Sequence, residues 1–400
     1  MDRTMQRTVT AVVTLDGERL GEVGPFPVAH PRWQEVGEVA AVLEQRLGVP
    51  VLVLRLLSVE GGDGGRGGHV AYHAEALAGP AVPLAEGART VGPDPLRAAW
   101  ATPDGLRSAL GWAGDRLRDT GRPPTGPAEQ VKTWNLSGLT RIPTAQGPAW
   151  LKTTPVFGAD EARIIALLAS VDPGLVPPVL GSAEGRVLLD HVPGEDCWGV
   201  PDDAMLGAVD RMVAAQARLA GHPGLQDLRD QSPPRVLAAA AALLPRLDDL
   251  TADERAAAHR LLDRLPADIA GLEACGLPTT LVHGDFHPGN WRSDGSRTVV
   301  VDFSDACLGH PAFDGLRPRD FVDGARWADV RNAWAGAWSA AVPGSDPLRA
   351  LELAEPLMHL AYAVRYQEFL DGIEPSERIY HEGDPAAEVR AALAAAARTA

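Results

Sequence analysis

The residues best suited to chemistry lie in one stretch, Leu281-Val282-His283-Gly284-Asp285-Phe286-His287-Pro288-Gly289-Asn290-Trp291, followed by Thr298-Val299-Val300-Val301-Asp302-Phe303. An apolar pair enters a polar loop. Ser293-Asp294-Gly295-Ser296 then supplies a turn, and an apolar strand delivers Asp302 at its C-terminal end. Two carboxylates and one carboxamide are thereby carried on neighbouring loops. The set suits phosphoryl transfer, which needs a group to orient an attacking hydroxyl and accept its proton. It also needs hard oxygen ligands for a Mg²⁺ that bridges nucleotide phosphates. Asp285 can be the first. Asn290, five residues on, offers a neutral carbonyl oxygen and Asp302 an anionic one.

The run from His283-Gly284-Asp285 to Asn290 resembles the catalytic loop of aminoglycoside phosphotransferases and the related choline, homoserine and sugar kinases. In protein kinases the same loop typically reads His-Arg-Asp, with Asn five residues after the Asp. Here Gly284 replaces that Arg and His287-Pro288-Gly289 fills the interval. Asp302-Phe303-Ser304 looks like the metal-binding Asp-Phe-Gly segment, with Ser in place of Gly.

The resemblance implies an α+β, two-lobed protein-kinase-like fold, preceded here by a small α/β N-terminal domain. It implies ATP or GTP as phosphate donor, Mg²⁺ as cofactor and a hydroxyl of a small molecule as acceptor. It also implies a strand lysine held by a glutamate from the following helix. Lys152 follows Trp150-Leu151 on a predicted strand, and Glu161 lies nine residues later near a helix start. Only two lysines, Lys132 and Lys152, occur among 37 basic residues. Under such an arginine bias a surviving lysine is informative, because a compact ammonium fits between phosphate oxygens where a planar guanidinium does not.

The N-lobe also departs from the protein-kinase pattern. In place of Gly-x-Gly-x-x-Gly over the phosphates, the chain has Asn135-Leu136-Ser137-Gly138-Leu139-Thr140-Arg141, with a single glycine. Ser137 and the Gly138 amide are candidates to touch phosphate oxygens, with Arg141 adding charge. The alternative is a plain β-turn. Val187 to Glu195 resembles the hinge between lobes, where backbone groups of Asp190, His191 and Val192 would read the adenine edge. Asp314 resembles a position that braces the catalytic loop. His283 is expected to pack inside that loop, and His287 to face the γ-phosphate or stabilise the loop.

Stepping along the chain, Thr8 to Thr14 alternates as a strand, Asp16-Gly17 marks a hairpin, and Glu18 to Val23 returns. Pro31 to Leu47 has helical spacing, capped by Gly48; Val51 to Leu57 and His69 to Leu77 read as strands. The glycine-rich run Gly61 to Gly68 opens no helix and reads as a loop. The expected organisation is an N-terminal α/β cap-like domain over 1–95, a linker with a helix near Pro103 to Arg118 over 96–126, an N-lobe with hinge over 127–195 and a helical C-lobe over 196–400.

A formal net charge of -16 argues against nucleic-acid and anionic-membrane partners and is compatible with a cationic acceptor. Neither a membrane-spanning apolar run nor a signal peptide is evident, so the cytoplasm is the expected compartment. Cys197, Cys275 and Cys307 show no zinc-ligand spacing and are expected as buried thiols. Glu355, Glu368, Asp371 and Glu374 are candidates to hold acceptor ammonium groups or to form a solvated face. Tyr362, Tyr366 and Phe369 are a core stripe or a ligand wall. The first functional reading is an ATP-dependent small-molecule kinase, either antibiotic-modifying or acting on an amino sugar or amino alcohol. The alternative is a catalytically silent, kinase-like nucleotide-binding protein acting through its N-terminal domain.

Overall fold

Alternating β-branched residues build β1 (Arg7–Leu15), and Asp16-Gly17 turns the chain into β2 (Glu18–Val28). After α1 (Gly37–Leu47), β3 (Val51–Glu60) and β4 (Gly68–Ala76) complete a four-stranded sheet of order β2-β1-β4-β3. β1 runs parallel to β4, and the other neighbours are antiparallel. Val39, Leu43 and Leu47 lay one face of α1 on this sheet. The computed structural model describes residues 6–199 and 202–398. It divides into two compact units, and the first comprises the chain up to Phe157, Val179–His191 and Phe369–Glu382.

Helix α1 starts six residues later than its apolar spacing suggests. Arg7, fully buried, donates to the carbonyls of Arg32, Trp33 and Glu35 at 2.5, 3.2 and 2.8 Å. The Trp33 and Val36 amides donate to Gly65 and Val131. Backbone groups that a first helical turn would need are thus already committed. The glycine-rich loop is fixed by the same residue, since the Trp33 indole donates to the Gly67 carbonyl at 2.8 Å. At Gly68 a Cβ would come within 2.5 Å of the Gly61 carbonyl oxygen.

Helix α2 (Pro103–Asp119) begins with Thr102 as N-cap, accepting from the Gly105 amide, and Pro103 in the first turn. A second sheet follows: β5 (Glu129–Trp134), β6 (Ser137–Ile142), β7 (Ala149–Thr153), β8 (Val179–Ala183) and β9 (Arg186–Asp190), in the order β5-β6-β7-β9-β8. Strand β8 carries Gly181-Ser182 and has no clear alternation, which is why its sequence is silent. The two sheets belong to one unit because β3 offers its free edge to β5. Gln130 brackets Val53, accepting from its amide at 2.7 Å and donating to its carbonyl at 2.9 Å. Thr133 donates to the Leu54 carbonyl. An edge strand covered in this way cannot pair with another chain.

The second unit contains Gly158–Pro178, Val192–Glu368 and Gly383–Ala400. Its helices are α3 (Glu161–Val171), α4 (Asp202–Leu219), α5 (Pro233–Leu243), α6 (Ala252–Ala274), α7 (Ala312–Leu316), α8 (Gly324–Ala341), α9 (Pro347–Gly372, ending in the first unit) and α10 (Asp384–Arg398). Thr251 and Glu254 close a reciprocal capping box at the start of α6. Among the helices lie short strands: β10 (Glu195–Asp196), β11 (Asp230–Gln231), β12 (Thr280–Val282), β13 (Trp291–Ser293), β14 (Thr298–Val300) and β15 (Cys307–Gly309). They form two three-stranded sheets, β10-β13-β14 and β11-β15-β12, which carry the polar loops. The three cysteines are buried and free. Among the described residues no helix is long and apolar enough to cross a membrane.

Candidate active site

Strand β12 ends at Val282, and the loop that follows is pinned from below. Asp314, 2% exposed on α7, accepts from the His283 amide at 2.8 Å, the Gly284 amide at 3.0 Å and the Gln216 side chain at 2.7 Å. Burial pushes its carboxyl up to about 7 against the pull of these three donors. His283 has no exposed surface; its Nε2 meets the Val301 carbonyl at 3.0 Å and its Nδ1 accepts from the Asp285 amide at 3.2 Å. Gly284 has φ +84°, and a Cβ there would lie 2.4 Å from the Asp305 carbonyl oxygen. That approach explains why a glycine stands where protein kinases have Arg.

We expect Asp314→Ala to strand these three donors. Chemical denaturation should show a loss of about 3 kcal/mol or more. An unchanged midpoint would refute the bracing role.

The Asp285 carboxylate is gripped on both oxygens. Arg317 donates to Oδ1 from Nε and Nη2, each at 2.9 Å. Asn290 Nδ2 lies 3.0 Å and His287 Nε2 3.2 Å from Oδ2. Burial by itself would raise the pKa of this group. The Arg317 guanidinium, followed by His287, overrules it and holds the carboxyl far below the usual carboxylate range. Arg317 is in turn sandwiched between the Phe321 and Tyr362 rings, at 4.7 and 4.6 Å from their centroids. The Tyr362 hydroxyl donates to the Gly284 carbonyl at 2.9 Å. His287 stacks on Phe321 at 4.1 Å and on Trp198 at 5.5 Å, so a short aromatic column stands beside Asp285.

Asn290 ends a one-turn 3₁₀ helix, Pro288–Asn290. Its carbonyl accepts from the Val301 amide at 2.9 Å, which brings it next to Asp302. Asp302 adopts φ +67°, a left-handed conformation shared by one other non-glycine among the described residues, the turn residue Asp16. The Ser304 hydroxyl donates to its Oδ1 at 3.0 Å. The side chains of Asn290 and Asp302 therefore offer one carboxamide and one carboxylate. That hard-oxygen pair fits Mg²⁺, which takes its remaining positions from water and phosphate. No cluster of three His, Cys, Asp or Glu among the described residues competes for a metal. In the same unit, Glu161 (4% exposed) stands in the first turn of α3 behind the N-cap Asp160. The segment leading into α3 is tied to the residue after Phe303 by Ala159 N to Ser304 O, 2.8 Å.

The first unit holds the remaining candidates. Lys152, 7% exposed, sits mid-sheet on β7, opposite Leu139 of β6 and Val187 of β9. Ser137 and Gly138 follow a two-residue Asn135-Leu136 turn and are already laddered to Trp134 and Thr133. The Gly138 amide donates to Thr153 Oγ1 at 3.1 Å, and Ser137 Oγ accepts from the Trp134 indole at 2.9 Å. The Asp190 carboxylate is bound by Arg122 at 2.8 Å, which chiefly holds its pKa down. His191 stacks against Trp150. The chain leaves the first unit between His191 and Val192.

Three of the four acidic residues considered as ammonium ligands are spent on arginines instead. Glu355 binds Arg319 and Arg398, Glu368 binds Arg229 and Arg365, and Glu374 binds Arg55 and Arg97. Arg317, Phe321 and Trp198 escaped sequence reasoning because they come from segments distant along the chain. The one usable signal was the need of a partly buried carboxylate for a counter-charge.

A β-sheet unit and a helical unit bearing a His-x-Asp loop, with an Asn and a following Asp beside it, define a kinase-like α+β protein. Residues 151–351 match the phosphotransferase enzyme family, and the chain belongs to that family. It is accordingly a phosphotransferase with an alcohol group as acceptor. No curated protein sequence matches it. Among solved structures it is similar to a protein assigned as an aminoglycoside phosphotransferase from Ralstonia eutropha JMP134, at 18% identity and TM-score 0.52, covering 73% of this chain and 98% of that one. It is similar also to a spectinomycin phosphotransferase in complex with ADP and spectinomycin, at 14% identity and TM-score 0.50, covering 72% and 98%. A choline kinase from Cryptosporidium parvum Iowa II gives 9% identity and TM-score 0.50, covering 68% and 89%.

Proposed function

We propose that this enzyme transfers the γ-phosphate of ATP to a hydroxyl of a small molecule, in line and without a covalent enzyme intermediate. The observation that carries the reading is the Asp285 carboxylate, kept ionised by Arg317 and aimed by Asn290 and His287. In this reading Asp285 orients the acceptor hydroxyl and accepts its proton as the bond to phosphorus forms. Asn290 and Asp302 hold Mg²⁺, which would neutralise charge on the phosphates. Lys152 binds the α- and β-phosphates, with Glu161 as its intended partner. Ser137 and Gly138 lie under the phosphates, and the backbone of Asp190, His191 and Val192 takes the base. Fixed charges of this kind act mainly through positioning and electrostatic stabilisation.

The pairing of Glu355, Glu368 and Glu374 with arginines removes the obvious ammonium ligands. The acceptor is therefore selected by its hydroxyl and its fit rather than by a cluster of free carboxylates. We place the activity in the cytoplasm, where the nucleotide is abundant. The test is nucleotide consumption with Mg²⁺-ATP and Mg²⁺-GTP across aminoglycosides, other hydroxylated antibiotics, amino sugars and amino alcohols. Acceptor-dependent turnover is expected for at least one class, with ATP preferred. Failure to bind either nucleotide overturns the proposal.

A further inference from the structure

Exposed apolar side chains are ordinary on a protein surface. What distinguishes Trp198 is where it is fixed. It is 42% exposed and is the one exposed aromatic among the described residues. Its neighbour Cys197 is fully buried, and the Cys197 amide is shared between the Pro288 and Trp291 carbonyls, each at 2.9 Å. The two residues before that pair with β13, Glu195 opposite Ser293 and Asp196 opposite Arg292. The Trp198 carbonyl accepts from Arg326 of α8 at 3.2 Å. The backbone that carries the indole is thereby tied to the catalytic loop and the strand after it.

The indole itself rests on that loop. A Cβ on Gly289 would come within 2.5 Å of its Cζ2 atom, so glycine is what lets the ring lie against the backbone there. The ring stacks on His287 at 5.5 Å and 28°, and meets Phe321 at 5.8 Å. His287 Nε2 in turn lies 3.2 Å from Asp285 Oδ2. One imidazole thus links an exposed indole to the carboxylate placed to receive a hydroxyl proton. Charges at this corner are matched within the protein. Arg317 binds Asp285, Arg292 binds Asp196 at 2.8 Å, and Asp323 caps α8 by accepting from the Ala325 and Arg326 amides at 3.0 Å. Beside Asp285, what the corner offers an acceptor is an aromatic surface.

We infer that Trp198 is the platform on which the acceptor lies, and that the acceptor is a pyranose, free or as part of a larger molecule, with one C–H face on the indole and a ring hydroxyl on Asp285. This rests on the reading of Asp285 as the group that orients that hydroxyl. Axial C–H bonds give a pyranose face a weakly positive surface, and the face of an indole is negative. The hydroxyls project from the rim of the sugar ring, where one can reach a group flanking the indole. Contacts of this kind, remote from the reacting atoms, fix the hydroxyl in line and so contribute to rate.

The test is ¹⁹F NMR of the full chain labelled with 5-fluorotryptophan and saturated with Mg²⁺-ADP, so no turnover is required. The resonance missing from Trp198→Phe belongs to residue 198. It is followed while the methyl pyranosides of glucose, galactose and mannose are added, with sorbitol and choline as hydroxyl compounds that lack a ring face. At least one pyranoside is expected to shift the resonance saturably, and sorbitol and choline to leave it in place. Trp198→Leu, which keeps apolar bulk without the π-surface, should weaken the same pyranoside by about 10-fold in calorimetry. A resonance unmoved by every pyranoside, one moved as far by choline, or unaltered affinity in Trp198→Leu overturns the platform. Should Trp198→Leu fail to fold, the resonance alone decides. ADP binding is read on the same samples. Its retention without a pyranoside shift sinks the platform alone, whereas its absence sinks the phosphotransfer reading and the platform with it.

Discussion

Asp285→Asn is expected to lower kcat by about 10³-fold or more while leaving the nucleotide dissociation constant within a small factor of wild type. Asparagine preserves the shape of the side chain and its contact with Asn290, so the loop should stay in place. The variant removes the negative charge and the lone pair that receives the hydroxyl proton. It also strips Arg317, 12% exposed and wedged between two rings, of its counter-ion. A modest loss of thermal stability should therefore accompany the loss of turnover. The same contacts dictate the pH behaviour. A carboxylate whose pKa is depressed in the folded state stays ionised far below neutrality. The kcat profile should then show no acid limb from Asp285 between about pH 5 and 8. Wild-type turnover by the asparagine variant would remove Asp285 from the chemistry. An acid limb that disappears with it would contradict the role given to Arg317.

Asp302 carries the second large effect, and it has two parts. Asp302→Ala should weaken Mg²⁺-dependent nucleotide binding by about 100-fold, since one carboxamide would remain of the carboxylate and carboxamide proposed to hold the ion. The backbone tells a different story. At φ +67° an aspartate is held in a region that costs of order 1 kcal/mol and that glycine occupies freely. Asp302→Gly should thus lose nucleotide binding at little cost to the stability of the nucleotide-free protein, because relief of about 1 kcal/mol of backbone strain offsets the added entropy of the unfolded chain. Loss of binding with stability retained is the signature of a residue kept for function. Retention of Mg²⁺-dependent binding by Asp302→Ala would move the metal site elsewhere.

Much of the site was written locally. His283, Asp285 and Asn290 share one short loop, and Asp302 follows after one hairpin, so spacing alone could bring them together. Lys152 stood out because the chain otherwise uses arginine, and its place on β7 followed from the apolar residues around it. The phosphate-covering turn was harder to read. Asn135 to Arg141 reads equally as a phosphate-contacting loop or a plain β-turn, and the ladder closes after Leu136 and commits the Gly138 amide to Thr153. Cross-strand pairing is not visible in one strand's sequence. Glu355 and Glu368 read as ammonium ligands or as a solvated face, and their spacing could not show that Arg319 and Arg229, from other segments, and Arg365, one turn away, bind them.

The sequence by itself determined the loop chemistry, the longer strands and helices with clear periodicity and the family resemblance, because these depend on residues close together in the chain. Tertiary structure alone decided what sets the charge of Asp285, why residue 284 must be glycine, where α1 begins and which carboxylates are spent on arginines. Each of those depends on a partner brought from elsewhere in the chain: Arg317 on Asp285, the Asp305 carbonyl over Gly284, Arg7 on the carbonyls before α1, and Arg55 and Arg97 on Glu374. Burial makes such pairings strong and folding chooses them, and neither is written in any one stretch of residues.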